Sequence, residues 1–286
     1  MRGRGQFVAD LRFAGLRDVA FVRSPIAHGR IRDVVVPSRG EGAVFAAADL
    51  AAVKPIRAVS GVRGFKVSDQ PVLAVDKVRY VGELVAMCVA ANRAEAEDLA
   101  AAVRLDIEEL PAVHDMLAAR EPGSALLHNH WGDNVFLETF VDLNFDKVLS
   151  APIKVTREIR TARQCMAPIE GRGVVAIWDS RLEQLTIYSA CQMPHIVRTG
   201  LAGCLGLDEG QVRVIAPDVG GGFGYKGILL AEEVCLGWLA MRCGHPVRWI
   251  EDRREHLTAG ANCREHHYRI TGYADRDGRL VGIDCE

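Results

Sequence analysis

Excess charge of either sign is missing from this chain. Its 35 Lys and Arg face 37 Asp and Glu, for a formal net charge of −2. A near-neutral surface lacks the electrostatic footprint of a nucleic-acid binder, and no basic run interleaved with aromatics supplies one locally. Long apolar runs are missing too. None approaches the roughly 18 residues needed to cross a bilayer, and the opening MRGRGQFVADL lacks the apolar core of a secretory signal. The expected location is cytoplasmic. None of the eight cysteines (Cys88, Cys165, Cys191, Cys204, Cys235, Cys243, Cys263 and Cys285) falls in a C-x-x-C pair or an iron–sulfur run. That pattern argues against a zinc ribbon or a cluster on this chain. Scattered in apolar surroundings, the cysteines read as buried thiols of a reduced compartment. No internal repeat or low-complexity tract occurs. What remains is a 286-residue globular profile, 49% hydrophobic and 25% charged, long enough for about two domains.

The first ~115 residues read as a small α/β unit. Short strands are expected at Asp18–Arg23 and Ile31–Val36, and a strand broken at Gly82 within Val78–Ala91. A helix is expected over Asn92–Val103, with Asn92 as its cap and Glu95 at capping-box spacing. Met116–Asp133 carries Pro122, Gly123, His128 and His130 without periodicity and reads as an exposed connection. The two histidines have a metal-pair spacing but no third ligand nearby, so solvated loop histidines are the plainer reading. A second unit follows, with strands expected at Val135–Asn144, Lys154–Thr161, Gly173–Trp178, Gln184–Ser189, Val212–Ala216 and Val247–Glu251. Helices are expected from Pro194 to Gly206 and over Ile228–Cys243. Tyr268–Tyr273 and Leu280–Asp284 form a hairpin around Asp277–Gly278.

Between the strand at Val212 and the helix at Ile228 lies the most distinctive stretch, VIAPDVGGGFGYK, Val214–Lys226. Three consecutive glycines let the backbone take positive φ and approach a ligand closely, with amides free to meet an anion or oxo group. A flexible strand-to-helix turn is the bland alternative. The stretch fits neither common phosphate motif. Lys226 is followed by Gly227 rather than Ser or Thr, and Gly220, Gly222 and Gly224 give G-x-G-x-G, not G-x-G-x-x-G.

Around this loop stand RQCMAPIEGRGVVAIW (Arg163–Trp178), SACQMPHIVRTGLAGCLGL (Ser189–Leu207) and WIEDRREHLTAGANCREHHYRITGYADRDGRLVG (Trp249–Gly282). In this order and spacing they resemble the molybdenum-binding large subunit of the xanthine dehydrogenase, aldehyde oxidase and carbon monoxide dehydrogenase family. GRGQFVADL (Gly3–Leu11), AFVRSPIAHGRI (Ala20–Ile31) and VRYVGELVA (Val78–Ala86) are similar to that family's N-terminal hammerhead domain. The resemblance implies an α+β fold. It consists of an α/β hammerhead domain over 1–115, a linker over 116–134, and the first part of a molybdopterin-binding domain, with mixed sheets and packed helices, over 135–286.

The resemblance also implies roles. Gln192 approaches an oxo ligand of molybdenum, and the loop of Gly221, Gly222, Phe223 and Gly224 holds the Mo–pterin centre through backbone amides, with no side chain ligating the metal. Arg264, in NCRE, takes the place of an arginine near the active site; a surface salt-bridge residue is the alternative. Glu170 and Arg172, in IEGR, match the family's E-P-R element with Gly171 in place of proline, as site-shaping residues or a structural charge pair. The implied cofactor is molybdenum-molybdopterin, in its cytosine dinucleotide form, with no iron–sulfur cluster or flavin on this chain. The implied partners are an iron–sulfur small subunit, an FAD medium subunit and the remaining C-terminal half of the large subunit.

The implied reaction oxidises a small molecule (an aldehyde, an N-heterocycle or CO) with water-derived oxygen. Gly227 stands where purine-hydroxylating members carry a substrate-binding glutamate, which leaves purine specificity unsupported. The family's general base and most of its pterin contacts fall beyond position 286. The other expectation is therefore a catalytically incomplete fragment, acting only with a separately encoded C-terminal half or as a non-catalytic remnant. A Rossmann dehydrogenase is the third and weakest reading.

Overall fold

The computed structural model describes residues 3–141, 143 and 145–286. A seven-stranded sheet forms its centre, and both halves of the chain build it. In spatial order the strands are Val212–Ile215, Gln184–Ser189, Gly173–Asp179, Val247–Ile250, Arg17–Arg23, Leu84–Ala90 and Val44–Ala46. The halves meet where Arg17–Arg23 runs parallel to Val247–Ile250, with Arg17 opposite Val247 and Asp18 opposite Arg248. Arg248 forks onto Asp18 at that seam, Nε to Oδ1 at 2.8 Å. The central strands are apolar and β-branched because both faces are covered.

Among the described residues there are four α-helices, three of which pack against the central sheet. Helix α1 (Arg93–Ala102) packs on the strands at Arg17 and Leu84, α2 (Pro194–Leu205) on the strand at Val212, and α3 (Ala231–Cys243) on the strands at Gly173, Gln184 and Val247. Helix α4 (Arg253–Ala259) follows the last of these strands. Asn92 caps α1 by accepting the Glu95 amide at 3.0 Å, as its sequence predicts. Gly206 and Gly244 close α2 and α3 in left-handed backbone, the conformation a glycine terminator supplies. The main core is shared: Phe21 and Met87 from the first unit pack in one cluster with Leu185, Leu236 and Trp249 from the second.

Smaller sheets flank this body. Gly29–Val35 joins Lys77–Val78 and Arg104–Glu109, while Ile153–Thr161, His266–Ala274 and Leu280–Cys285 form a three-stranded meander. Three expectations are corrected. Residues 135–141 form no strand, and Asp142 and Asn144 lie outside the described residues. The Phe136 carbonyl instead accepts the Lys66 amide at 2.7 Å, and its ring packs edge-on against Phe65. Helix α3 starts at Ala231, not Ile228, because the Glu233 carboxylate folds back onto the Leu230 amide at 2.9 Å and fixes the entry there. Finally, Cys165, Cys263 and Cys285 are exposed, on short or edge strands, while Cys88, Cys191, Cys204 and Cys235 are buried. Among the described residues no helix is long and apolar enough to cross a membrane.

Candidate functional site at the glycine loop

Gln184–Ser189 and Val212–Ile215 are neighbouring parallel strands, with Leu185 opposite Val212 and Tyr188 opposite Ile215. Parallel neighbours end on the same side of a sheet, where ligands of open α/β sheets settle. Gln192 follows the first strand and the glycine loop follows the second, so the topology brings them together. The Gln192 amide donates to the Lys226 carbonyl at 2.8 Å. Its side-chain Oε1 accepts the Gly224 amide at 2.9 Å. Because a backbone N–H can only donate, this contact settles which end of the Gln192 amide faces the loop and leaves Nε2, a double donor, with no partner among the described residues.

The glycines have separate reasons. Gly222 has no room for a side chain: a Cβ there would lie 2.4 Å from Gln192 Cδ. Gly221 and Gly224 have φ of +96° and +85°, the left-handed region glycine occupies at little cost. Phe223 shares that region at φ +52° although it is not glycine, and its ring is 69% exposed. That backbone costs a non-glycine residue about 1–2 kcal/mol, so the surrounding structure has to hold it there. The Gly221, Gly222 and Phe223 amides have no hydrogen-bond partner among the described residues. The loop therefore offers several N–H donors beside the Gln192 carboxamide.

Beneath the loop lies a largely buried charge network. Glu170 Oε2 accepts both the Gly220 amide at 2.7 Å and Lys226 Nζ at 2.8 Å, tying the two ends of the loop to one oxygen. The Lys226 side chain is completely buried. Arg172 forks onto Glu251 through Nε (3.0 Å) and Nη2 (2.7 Å) and reaches Glu232 through Nη1 (2.8 Å). Glu232 in turn holds Arg23, which also binds Glu255. The Tyr225 hydroxyl donates to Glu251 at 2.9 Å, and both ring nitrogens of His256 face oxygens, those of Glu251 and the Met166 carbonyl.

Burial alone would raise the Glu232 carboxyl, but the Arg172 and then Arg23 guanidinium groups outweigh it and bring it down to about 2. Glu251 is lowered for the same reason, Arg172 overcoming burial. Glu233 is the opposite case. It makes no ion pair among the described residues, and burial pushes it up to about 7 despite its bonds from Ser189 Oγ (2.6 Å) and the Leu230 amide and the more distant Arg172 charge.

Glu170 and Arg172 do not pair with each other. Glu170 closes the loop, while Arg172 anchors Glu251 and Glu232. Arg264 is exposed beyond the two-residue strand Asn262–Cys263, with no hydrogen bond or ion pair to Gln192 or the loop among the described residues. His128 and His130 pack around Trp131, and no group of three metal-ligating side chains occurs among the described residues. Sequence reasoning passed over Glu232, Glu233, Glu251 and Arg23. The signal was present in AEEVCLGWLA, where paired carboxylates open an otherwise apolar helix and so require buried partners.

The arrangement is a donor-rich rim, and the thiol of the adjacent Cys191 is buried and pushed up to about 11 by that burial, which keeps it protonated. The rim suits an oxygen-bearing ligand that is bound and polarised rather than attacked covalently. It also fits a pterin-held metal group, whose oxygens would take the unpaired amides.

Known proteins are similar to this chain along almost its whole length. Residues 2–111 match the family described as "Aldehyde oxidase and xanthine dehydrogenase, a/b hammerhead domain", and residues 127–286 match the "Molybdopterin cofactor-binding domain" family. The chain is 34% identical to the nicotine 6-hydroxylase large subunit of Paenarthrobacter nicotinovorans, across 99% of this chain and 35% of that protein. It is 32% identical to the carbon monoxide dehydrogenase large chain of Hydrogenophaga pseudoflava, across 99% and 37%. The crystal structure of quinoline 2-oxidoreductase from Pseudomonas putida 86 superposes with a TM-score of 0.92 at 36% identity, covering 99% of this chain and 37% of that one. The chain thus spans little more than a third of the length of these relatives.

Proposed function

The chain belongs to the xanthine dehydrogenase and aldehyde oxidase family of molybdopterin-binding proteins, and on that premise we propose that it supplies the hammerhead and one wall of the cofactor site in the large subunit of a molybdenum hydroxylase. In this reading residues 1–115 are the hammerhead, 116–134 a connection and 135–286 the first part of the cofactor domain. The Gln192–Gly224 contact carries the proposal. It fixes the carboxamide so that Nε2 is a preorganised donor, and the Gly221, Gly222 and Phe223 amides complete the rim. These groups bind and orient the oxygens of a molybdenum–molybdopterin group, here assigned to the cytosine dinucleotide form. When bound, that group supplies the two-electron redox chemistry. Arg264 is proposed as an exposed cation on the substrate side.

The substrate is a small aldehyde, N-heterocycle or CO, and the added oxygen comes from water. Electrons leave to an iron–sulfur small subunit and an FAD medium subunit in a cytoplasmic assembly. The general base and further pterin contacts come from sequence outside these residues, so turnover belongs to the assembly and not to this chain alone.

The test is co-production of the chain with a complementary C-terminal large-subunit fragment, followed by elemental analysis for molybdenum. Bound metal that falls in the Gln192→Ala and Gly222→Ala variants, with unchanged circular dichroism, is the expected result. An assembled pair that holds no molybdenum, or holds it equally in both variants, would overturn the reading.

A further inference from the structure

The hammerhead side carries a second concentration of unsatisfied polar chemistry, remote in sequence from the glycine loop. A cleft of about 930 Å³ opens between the strands at Gly29 and Lys77 and the loop 125–130, with His28, Arg30, Lys77, Arg79 and His128 in its wall. Strand register explains why the basic residues converge. Gly29 pairs with Val78 and Arg30 with Lys77, and directly opposed residues share a face while successive ones alternate. Arg30 and Lys77 are therefore on one face, and His28 and Arg79, next beyond the pairing, continue it.

Two of these groups lack the partner their chemistry requires. His28 is 3% exposed, and its Nδ1 lies 2.7 Å from the Pro111 carbonyl, which can only accept. The ring proton of neutral His28 is thereby placed on Nδ1. Nε2 is buried with no partner among the described residues, an arrangement native proteins seldom leave unfilled. Among the described residues Lys77 Nζ hydrogen-bonds only to neutral oxygens, the Leu126 carbonyl at 3.1 Å and Asn129 Oδ1 at 3.4 Å. The nearby acids are engaged elsewhere: Asp69 with Arg57, Glu108 with Arg30, and Asp76 and Glu83 with Arg79. Burial, and then the Arg79 charge, lowers the Lys77 ammonium; burial followed by Arg79 does the same to His128. Burial is the larger cause in each, and the Arg79 charge adds to it.

We propose that this cleft binds a phosphate group, as inorganic phosphate or a phosphomonoester, with an ionised oxygen on Lys77 and a protonated oxygen donating to His28 Nε2. A phosphate suits either state of the imidazole: its hydroxyl donates to neutral Nε2, and its ionised oxygen accepts from the protonated ring. A simple carboxylate satisfies Lys77 but has no proton to offer His28. The site is independent of the molybdopterin reading.

The experiment is a titration of the 286-residue chain at constant ionic strength, followed by nitrogen-15 correlation spectra of the histidine rings. Inorganic phosphate and methyl phosphate are run in separate arms, with acetate as the comparison anion. A saturable shift of the His28 resonances, half complete below about 10 mM, is expected with phosphate and not with acetate. Lys77→Met is expected to weaken it at least tenfold. Tighter binding of methyl phosphate identifies a monoester ligand, and tighter inorganic phosphate a free ion. A silent His28, an equal response to acetate, or an unchanged midpoint in Lys77→Met would overturn the proposal. Lys77 is not in the packed core, so its variant keeps the test valid even where a His28 substitution fails to fold.

Discussion

Gly222 and Gln192 share one volume: the space a Cβ at 222 would need is filled by the Gln192 carboxamide, 2.4 Å from its Cδ. Gly222→Ala therefore has to displace Gln192 from the Gly224 amide. The expected cost is about 1–3 kcal/mol, with loss of amide-exchange protection at Gly224 and a shifted Gln192 side-chain NH2 resonance. Gly224→Ala is the control. A Cβ there meets nothing within 4 Å, so only the left-handed backbone resists it, for about 1 kcal/mol, and the Gln192 resonance stays in place.

The loop clamp is predicted to respond asymmetrically. Lys226 is fully buried, while Glu170 keeps 18% of its side chain exposed. Glu170→Gln strands a buried ammonium and is expected to cost about 3–5 kcal/mol. Lys226→Met leaves a carboxylate that reaches water and still accepts the Gly220 amide, so it costs less. Urea midpoints in that order, with the double variant above Glu170→Gln alone, would bear this out; the reverse order would refute the clamp.

Arg172 holds two carboxylates with its fork, so its charge alone is insufficient. Arg172→Lys is expected to lose most of the stability lost by Arg172→Met, about 3 kcal/mol or more by denaturant unfolding. A lysine that restores the wild-type midpoint would show that the guanidinium geometry is immaterial.

Glu233 gives the fold a pH dependence of definite sign. Its carboxyl is raised from 4.5 to about 7, so the folded chain keeps a proton that the unfolded chain releases across that interval. The associated stability, about 3 kcal/mol, is complete below pH 4.5 and lost as pH rises through 7. Glu83 and Glu255 are also raised, both chiefly by burial, and contribute in the same direction. Glu233→Gln stays neutral throughout. It is expected to flatten the decline in stability between pH 5 and 8, and to be more stable than the wild type at pH 8. Glu232, held near 2 by Arg172 and Arg23 against burial, acts in a separate window: its stabilisation is lost as pH falls below 4.5.

Local signals in the sequence were sufficient for much of the fold. Asn92 with Glu95, Pro194 with Gly206, and Gly244 each act through backbone groups a few residues away, so the elements they bound are legible in the chain itself. The triple glycine and Gln192 were legible as a pattern, and the family followed from several such patterns in register. The segment at Val135 was misleading because a strand exists only where a neighbour pairs with it, and Phe136 found the loop near Lys66 instead.

Tertiary structure alone decided how the site is held. Arg23, Arg172, Glu232 and Glu251 are up to 228 positions apart in sequence, and nothing local says which carboxylate each guanidinium will take. The same holds for the sheet joining Arg17–Arg23 to Val247–Ile250, which makes two apparent units share one core. Charges buried together must pair, but the choice of partner depends on which strands lie side by side, and only the folded chain sets that.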